Sequence, residues 1–286
     1  MIFTPKITAD GSFTFFSAEF QEDFHSYYGA KAEAKKKFVE SCLLAEKAQT
    51  TNSLCLLDIC YGLGYNSGAA LETIWSVNPQ CCVKLIGLEV DKRVPEQAIA
   101  HKLIALWSEP VPQLLAELSK SYAIKTERLE AELLIGDARR TIQEVIKLGF
   151  KADSIFLDPF SPPKCPQLWT VEFLGLVAQC LKLTGKLATY SCAASVRTAL
   201  LEGGLQIRAT ESMGRRSPGT VASFSNNNLP NLSQQEMEHL QTRAAIPYRD
   251  PNGCDRAEVI IQRRQTEQEN SNLEPTTHWK KRWSQQ

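Results

Sequence analysis

Leu54-Cys55-Leu56-Leu57-Asp58-Ile59-Cys60-Tyr61-Gly62-Leu63-Gly64-Tyr65-Asn66 is the stretch on which the fold turns. An apolar run of strand length ends at a turn holding two glycines and passes directly into a helix-like segment, 66–77. The same alternation repeats downstream. Apolar runs at 83–88, 132–135, 154–157, 186–190, 205–210 and 220–224 are separated by helical patterns at 93–106, 139–148, 171–183 and 193–202. Strands that are apolar nearly throughout, alternating with helices, predict an α/β fold with a doubly wound, mostly parallel sheet covered on both faces. The last two strands are joined by Gly214-Arg215-Arg216-Ser217-Pro218-Gly219, too short for a helix, and are expected to form an antiparallel edge hairpin. Outside this core, residues 1–44 carry a short aromatic strand (12–16) and an Ala/Lys/Glu-rich helix near 30–44. Residues 225–286 carry a helix signal from Ser233 and a basic tail containing tryptophans.

In such a sheet, ligands bind beyond the carboxyl ends of the strands, at the switch point of strand order. The residues at those ends are therefore candidates. Gly62 and Gly64 allow a tight turn and a close backbone approach, and the helix that follows offers free N–H groups to an anionic group. The second strand ends at Glu89, which can accept hydrogen bonds from both hydroxyls of a ribose; turn and acid together point to a nucleoside ligand. The third ends at Gly136-Asp137, where Asp137 is either a helix N-cap or an acceptor for an adenine amino group, two roles that are compatible. The fourth ends in Asp158-Pro159-Phe160-Ser161-Pro162-Pro163-Lys164-Cys165-Pro166. Its prolines fix φ repeatedly, so a carboxylate is held on a stiff loop facing the crevice, an arrangement suited to chemistry. Trp169 either stacks on a base or anchors its helix in the core. Cys165 lacks a histidine placed to activate it.

Thirty-two basic residues balance 32 acidic ones, which excludes a polybasic binder but not a local positive patch. The pairs Arg139-Arg140, Arg215-Arg216, Arg263-Arg264 and Lys280-Lys281-Arg282 read either as solvated faces or as an RNA footprint. The nine cysteines form no CxxC pair and the four histidines no ligand spacing, so neither a metal site nor a disulfide framework is expected. No apolar run approaches the roughly 18–20 residues that span a bilayer, and the first residues lack a signal peptide's apolar core, so a cytoplasmic protein without a membrane partner is expected.

The glycine turn, Glu89, Gly136-Asp137, the Asp-x-Phe-Ser-Pro-x-Lys-x-Pro-x-x-Trp-Thr block (158–170), Ala188-Thr189-Tyr190-Ser191, Val196-Arg197 and Gly214-Arg215-Arg216 resemble the MnmC-like methyltransferases. The likeness covers about residues 8–224. It implies a Rossmann-like class I S-adenosylmethionine-dependent methyltransferase domain at 45–224, with an N-terminal cap segment (1–44) and a C-terminal helical, basic extension (225–286). The activity implied is methylation of the amine of 5-aminomethyl-2-thiouridine at the wobble position of tRNA. Nothing resembles the FAD-dependent oxidase fused to this domain in bifunctional members, so a stand-alone form is expected. By matching position, Asp58, Gly62, Gly64, Asn66, Glu89, Gly136 and Asp137 would hold the cofactor and Asp158 the substrate amine. Lys164, Trp169, Arg197, Arg215 and Arg216 would contact the substrate. Cys60 stands where the family usually has its first glycine, and Pro159 where a glycine is common. Two rival readings remain: a spermidine-synthase-like aminopropyltransferase, which usually has a triple-glycine turn, and a non-catalytic RNA-binding or partner subunit.

Overall fold

The computed structural model describes residues 4–210, 218–225 and 231–284. The chain opens with two small hairpins: β1 (Lys6–Ile7) with β2 (Phe13–Thr14), and β3 (Phe16–Ser17) with β4 (Glu22–Asp23). A short helix α1 (Ala30–Glu33) runs on as π-helical turns, Ala34–Glu40. After Leu43, which is left-handed at φ 55°, comes α2 (Leu44–Thr50). The continuous strand and helix read at 12–16 and 30–44 are thus both broken, the first around fully buried Phe15 and the second at Leu43.

The central sheet follows: β5 (Ser53–Ile59), α3 (Tyr65–Val77), β6 (Cys82–Glu89), α4 (Arg93–Ala100), α5 (Val111–Ser121), β7 (Ala123–Lys125), β8 (Leu129–Ile135), α6 (Ala138–Lys147), β9 (Ala152–Leu157), α7 (Val171–Gln179), β10 (Leu181–Thr189), α8 (Ala194–Glu202), β11 (Gln206–Ala209) and β12 (Thr220–Ser223). Its strand order is β11-β12-β10-β9-β5-β6-β8-β7. Neighbours from β10 through β8 are parallel; β12 runs antiparallel to β10 and β11, and β7 antiparallel to β8. The expected edge hairpin is present, and a second antiparallel edge strand accompanies it. Successive residues of β5 serve opposite faces, as the period of two requires. Leu54 and Leu56 join the core beneath α3 and α5, while Leu57 and Ile59 join the core beneath α6, α7 and α8.

Three differences from the sequence-based expectation have local causes. The helix read at 171–183 stops at Gln179, because Leu181, which continues its apolar spacing, pairs with Ala152 as the first residue of β10. The helix read at 93–106 stops at Ala100, and a left-handed Lys102 turns the chain so that Leu103 and Ile104 are buried. Helix α5 adds to the expected elements, and Pro112 in its first turn with Leu114, Leu115 and Leu118 on one side is its sequence signal.

The chain moves outward from β5 through β6 to β8, then crosses back to β9 beside β5. The switch point, and hence the crevice, lies at the carboxyl ends of β5 and β9. Beyond β12, α9 (Gln234–His239), α10 (Ala257–Glu269) and α11 (Thr276–Trp283) complete the chain. The signal at Ser233 is a full capping box with Glu236. This segment packs on the sheet's second core through Ile260 and Tyr248, and a backbone bridge joins Tyr248 to Thr170.

Candidate active site

A cavity of about 550 Å³ opens at the switch point. The turn after β5 is built from left-handed residues: Cys60 (φ 66°), Gly62 (φ 56°) and Gly64 (φ 82°). Cys60 adopts the backbone that glycine would take more cheaply, which costs about 1–2 kcal/mol. A Cβ on Gly64 would meet the Tyr61 hydroxyl at 2.8 Å, so this glycine serves packing under the turn; Gly62 and Cys60 line the cavity.

Glu89 ends β6 almost fully buried against that turn. Its two carboxyl oxygens accept from the backbone N–H groups of Gly62 (2.8 Å) and Asp91 (2.9 Å). Each oxygen retains a lone pair, and the carboxylate lines the cavity, so a pair of hydroxyls could be received there. Burial raises the Glu89 carboxyl to about 6 against those backbone hydrogen bonds.

After β8, Gly136 (φ 152°) donates its N–H to the Glu89 carbonyl, and Asp137 caps α6 by accepting from the Arg139 N–H at 3.0 Å. Burial would raise the Asp137 carboxyl, but Arg139 outweighs it and holds the group below its ordinary value. The Arg139 guanidinium donates to Asp137 (2.7 Å) and to the buried carboxylate of Asp250 (2.8 Å), so the C-terminal segment braces the cavity wall. Asp250 also accepts from the N–H groups of Cys254 and Asp255. Asp250→Ala is expected to lower the unfolding free energy by about 2 kcal/mol in denaturant titration, a modest cost for a broken buried pair because Arg139 keeps Asp137.

Asp158, immediately after β9, opens onto the cavity and is otherwise enclosed. The Asn66 amide donates to its Oδ2 at 2.9 Å. Burial raises its carboxyl to about 8; nearby Glu33 adds to this and the Asn66 hydrogen bond opposes it. The loop that follows is pinned from outside by two donors and one acceptor: the Tyr190 hydroxyl donates to Pro159 O (2.9 Å), Trp169 Nε1 donates to Phe160 O (2.8 Å), and Glu22 accepts from the Ser161 N–H (3.0 Å).

Besides Gly64, four of the sequence-based site residues serve the protein itself, and Lys164 stands outside the lining. Asp58 does not line the cavity; it lies fully buried beneath the turn, where Ser67 donates to it at 2.6 Å. Burial, opposed by Ser67, raises its carboxyl to about 7. Asn66 serves Asp158 instead of reaching into the main cavity. Trp169 is wholly buried and anchors the proline-rich loop, so it cannot stack on a base. Arg197 is likewise buried, held by Thr220 (3.0 Å) and Glu236 (2.7 Å), and cannot reach a substrate. Lys164 is exposed on the loop, outside the cavity lining. Arg215 and Arg216 lie outside the described residues.

The N-terminal segment supplies site residues that sequence reading missed. Phe20, Glu22, Phe24, His25, Tyr27 and Glu33 all line the cavity. The Phe20 ring stacks on Phe160 at 4.4 Å and Phe24 meets the same ring edge-on at 5.0 Å, closing one side. Burial lowers His25 to about 4, so it is a neutral partner for Thr14 rather than a charge. The aromatic and acidic density of 20–28 was the available signal.

The described residues contain no helix long and apolar enough to cross a membrane and no cluster of potential metal ligands. Residues 101–225 match the family described as S-adenosyl-L-methionine-dependent methyltransferase, and a doubly wound sheet with acids at its switch point is of that class. The crystal structure of MnmC2 from Aquifex aeolicus superposes with a TM-score of 0.84 and 33% identity, covering 94% of this chain and 86% of that one. An uncharacterised protein of Methanocaldococcus jannaschii is 30% identical across 92% of this chain and 71% of its own length. The tRNA 5-methylaminomethyl-2-thiouridine biosynthesis bifunctional protein MnmC of Ralstonia nicotianae is 30% identical across 77% of this chain. The chain belongs to the MnmC-like family of S-adenosyl-L-methionine-dependent methyltransferases. It spans about a third of the length of that bifunctional relative, 34%.

The cavity fits the cofactor: a left-handed glycine bares backbone to it, and a buried carboxylate with spare lone pairs faces it at the end of β6. Gly62, Glu89, Gly136 and Asp137 line the cavity and would hold S-adenosylmethionine.

Proposed function

We propose that this chain N-methylates the aminomethyl group of 5-aminomethyl-2-thiouridine at the tRNA wobble position. The names of the bifunctional relatives support the pathway, and the observation that carries the chemistry is Asp158. It is a carboxyl raised to about 8, oriented by Asn66, in the same cavity as the residues fitted to the cofactor.

Bound S-adenosylmethionine supplies a methyl group already activated by a sulfonium. The protein's share is to align a nitrogen lone pair, exclude water and handle one proton. Alignment of this kind can lower a barrier by about 7–11 kcal/mol. Asp158 accepts an N–H of the substrate amine, and its position after β9 fixes where the lone pair points. An ordinary carboxylate would favour the ammonium form too strongly to give up a reactive amine. Burial brings the proton affinity of Asp158 nearer to that of an alkylamine, so Oδ1 or Oδ2 can take the proton at lower cost. Phe20, Phe24 and Phe160 wall the cavity against water.

The test is nucleoside mass spectrometry of tRNA from cells lacking this protein. Accumulation of 5-aminomethyl-2-thiouridine, reversed by the intact gene, is the expected result; an unchanged nucleoside profile would sink the reading.

A further inference from the structure

Tyr27 and Tyr28 are 74% and 53% exposed, and Tyr27 is also part of the cavity lining. Large rings this open on a monomeric surface call for an explanation, and these sit at the entrance of the site. Their backbone is not loose. The Tyr27 carbonyl accepts from the Ala9 N–H at 2.8 Å, and the Gly29 N–H donates to Ser26 O at 3.3 Å. Ser26 itself donates twice, through its N–H (3.1 Å) and its hydroxyl (3.0 Å), to Glu33 Oε2. The other oxygen of Glu33 is held by Lys37 at 2.8 Å in an ion pair that is almost wholly buried. A buried pair is costly to build, and this one fixes Ser26, the residue from which the two exposed rings lead off. The rings meet edge to face, with centroids 6.4 Å apart.

Among the described residues, the lining contains Glu19, Asp23 and Asp91 but no lysine or arginine, and the cations beside it, Lys6 and Arg93, are engaged by Asp23 (2.7 Å) and Asp91 (2.6 Å). Recognition at this entrance therefore has to rest on something other than the phosphate backbone. A nucleotide that reaches Asp158 from within an RNA loop leaves its neighbours without a stacking partner, and aromatic side chains are the usual replacement. We infer that Tyr27 and Tyr28 form a stacking platform for the unpaired bases that flank the target nucleotide, presented rigidly by the Glu33–Lys37 clamp. The inference rests on the tRNA reading above and adds to it the residues that grip the loop. Because stacking does not depend on base identity, the platform tolerates different neighbouring bases.

The test uses the full chain and a synthetic RNA hairpin with the sequence of an anticodon stem-loop, with binding followed by fluorescence anisotropy. Tyr27→Ala/Tyr28→Ala is expected to weaken hairpin binding about tenfold or more, as loss of base stacking does. S-adenosylhomocysteine affinity, measured by calorimetry on Tyr28→Ala, whose residue is outside the cavity lining, should stay within about twofold of wild type, which also shows that the fold is intact. Tyr27→Phe/Tyr28→Phe, which keeps both rings, should bind the hairpin like wild type. Unchanged binding by the alanine variant would overturn the platform while leaving the tRNA reading standing. A phenylalanine variant as weak as the alanine one would overturn stacking in favour of the hydroxyls. Wild-type protein that fails to bind the hairpin would overturn both the platform and the tRNA reading.

Discussion

Asp158→Asn is expected to lower kcat by about 100- to 10,000-fold, the range over which a positioned proton acceptor acts. The substitution keeps the shape and leaves Asn66 an oxygen to bond, so the loop pinned by Tyr190, Trp169 and Glu22 should hold its course. S-adenosylhomocysteine affinity should change little, because the residues fitted to the cofactor lie on β6, β8 and the turn after β5. Asp158→Ala should behave alike. Steady-state kinetics beside calorimetric titration check both halves; turnover within a few fold of wild type would refute the assignment. The wild-type enzyme adds a pH signature. Its free Asp158 carboxyl is raised to about 8, so kcat/KM should fall as pH drops below that value and the acceptor takes up a proton.

Glu89→Gln should weaken S-adenosylmethionine binding by about 100-fold while leaving kcat at saturating cofactor nearly unchanged. A hydrogen bond to a charged group contributes about 1.5–3 kcal/mol. Glutamine must also turn its NH2 toward one of the two backbone N–H groups, of Gly62 or Asp91, that the carboxylate now satisfies. The pH dependence follows from the raised value of about 6. Below it the free protein holds Glu89 protonated, and binding that needs the carboxylate must first expel that proton. Affinity should therefore be flat above about pH 7 and fall about tenfold per unit well below 6. Asp137, held below its ordinary value, adds nothing in that window. Calorimetry across the window decides it: an affinity that stays constant to about pH 5 contradicts the role.

The crevice was legible because strands buried on both faces are apolar almost throughout, so an acid at a strand's end interrupts the pattern. Glu89, Asp137 and Asp158 were found in this way. Asp58 follows the same pattern yet lies beneath the turn, since side-chain direction alternates along β5 and its side points to Ser67. Arg197 and Trp169 misled for another reason. Arg197 is held by Glu236 in α9, 39 residues on, and Trp169 turns back on the carbonyl of Phe160 in its own loop, and neither pairing leaves a trace in local spacing. The cavity's N-terminal wall escaped notice because each of its strands has two residues and shows no period. Its shape comes from contacts such as Phe20 on Phe160, across about half of the sequence.

The left-handed residue after β5 has a consequence for the enzyme's own survival. Cys60 and Cys165 both border a cavity fitted to an alkylating agent, and a thiolate there would be methylated in place of the substrate. Burial drives Cys60 far above its ordinary value, with Cys165, Glu89 and Asp158 adding to the effect, and burial raises Cys165 to about 12. At pH 7 the Cys165 thiolate is then about one molecule in 100,000. Burial, more than charge, keeps both sulfurs inert, so the enclosure that shapes the cavity also protects it against self-inactivation.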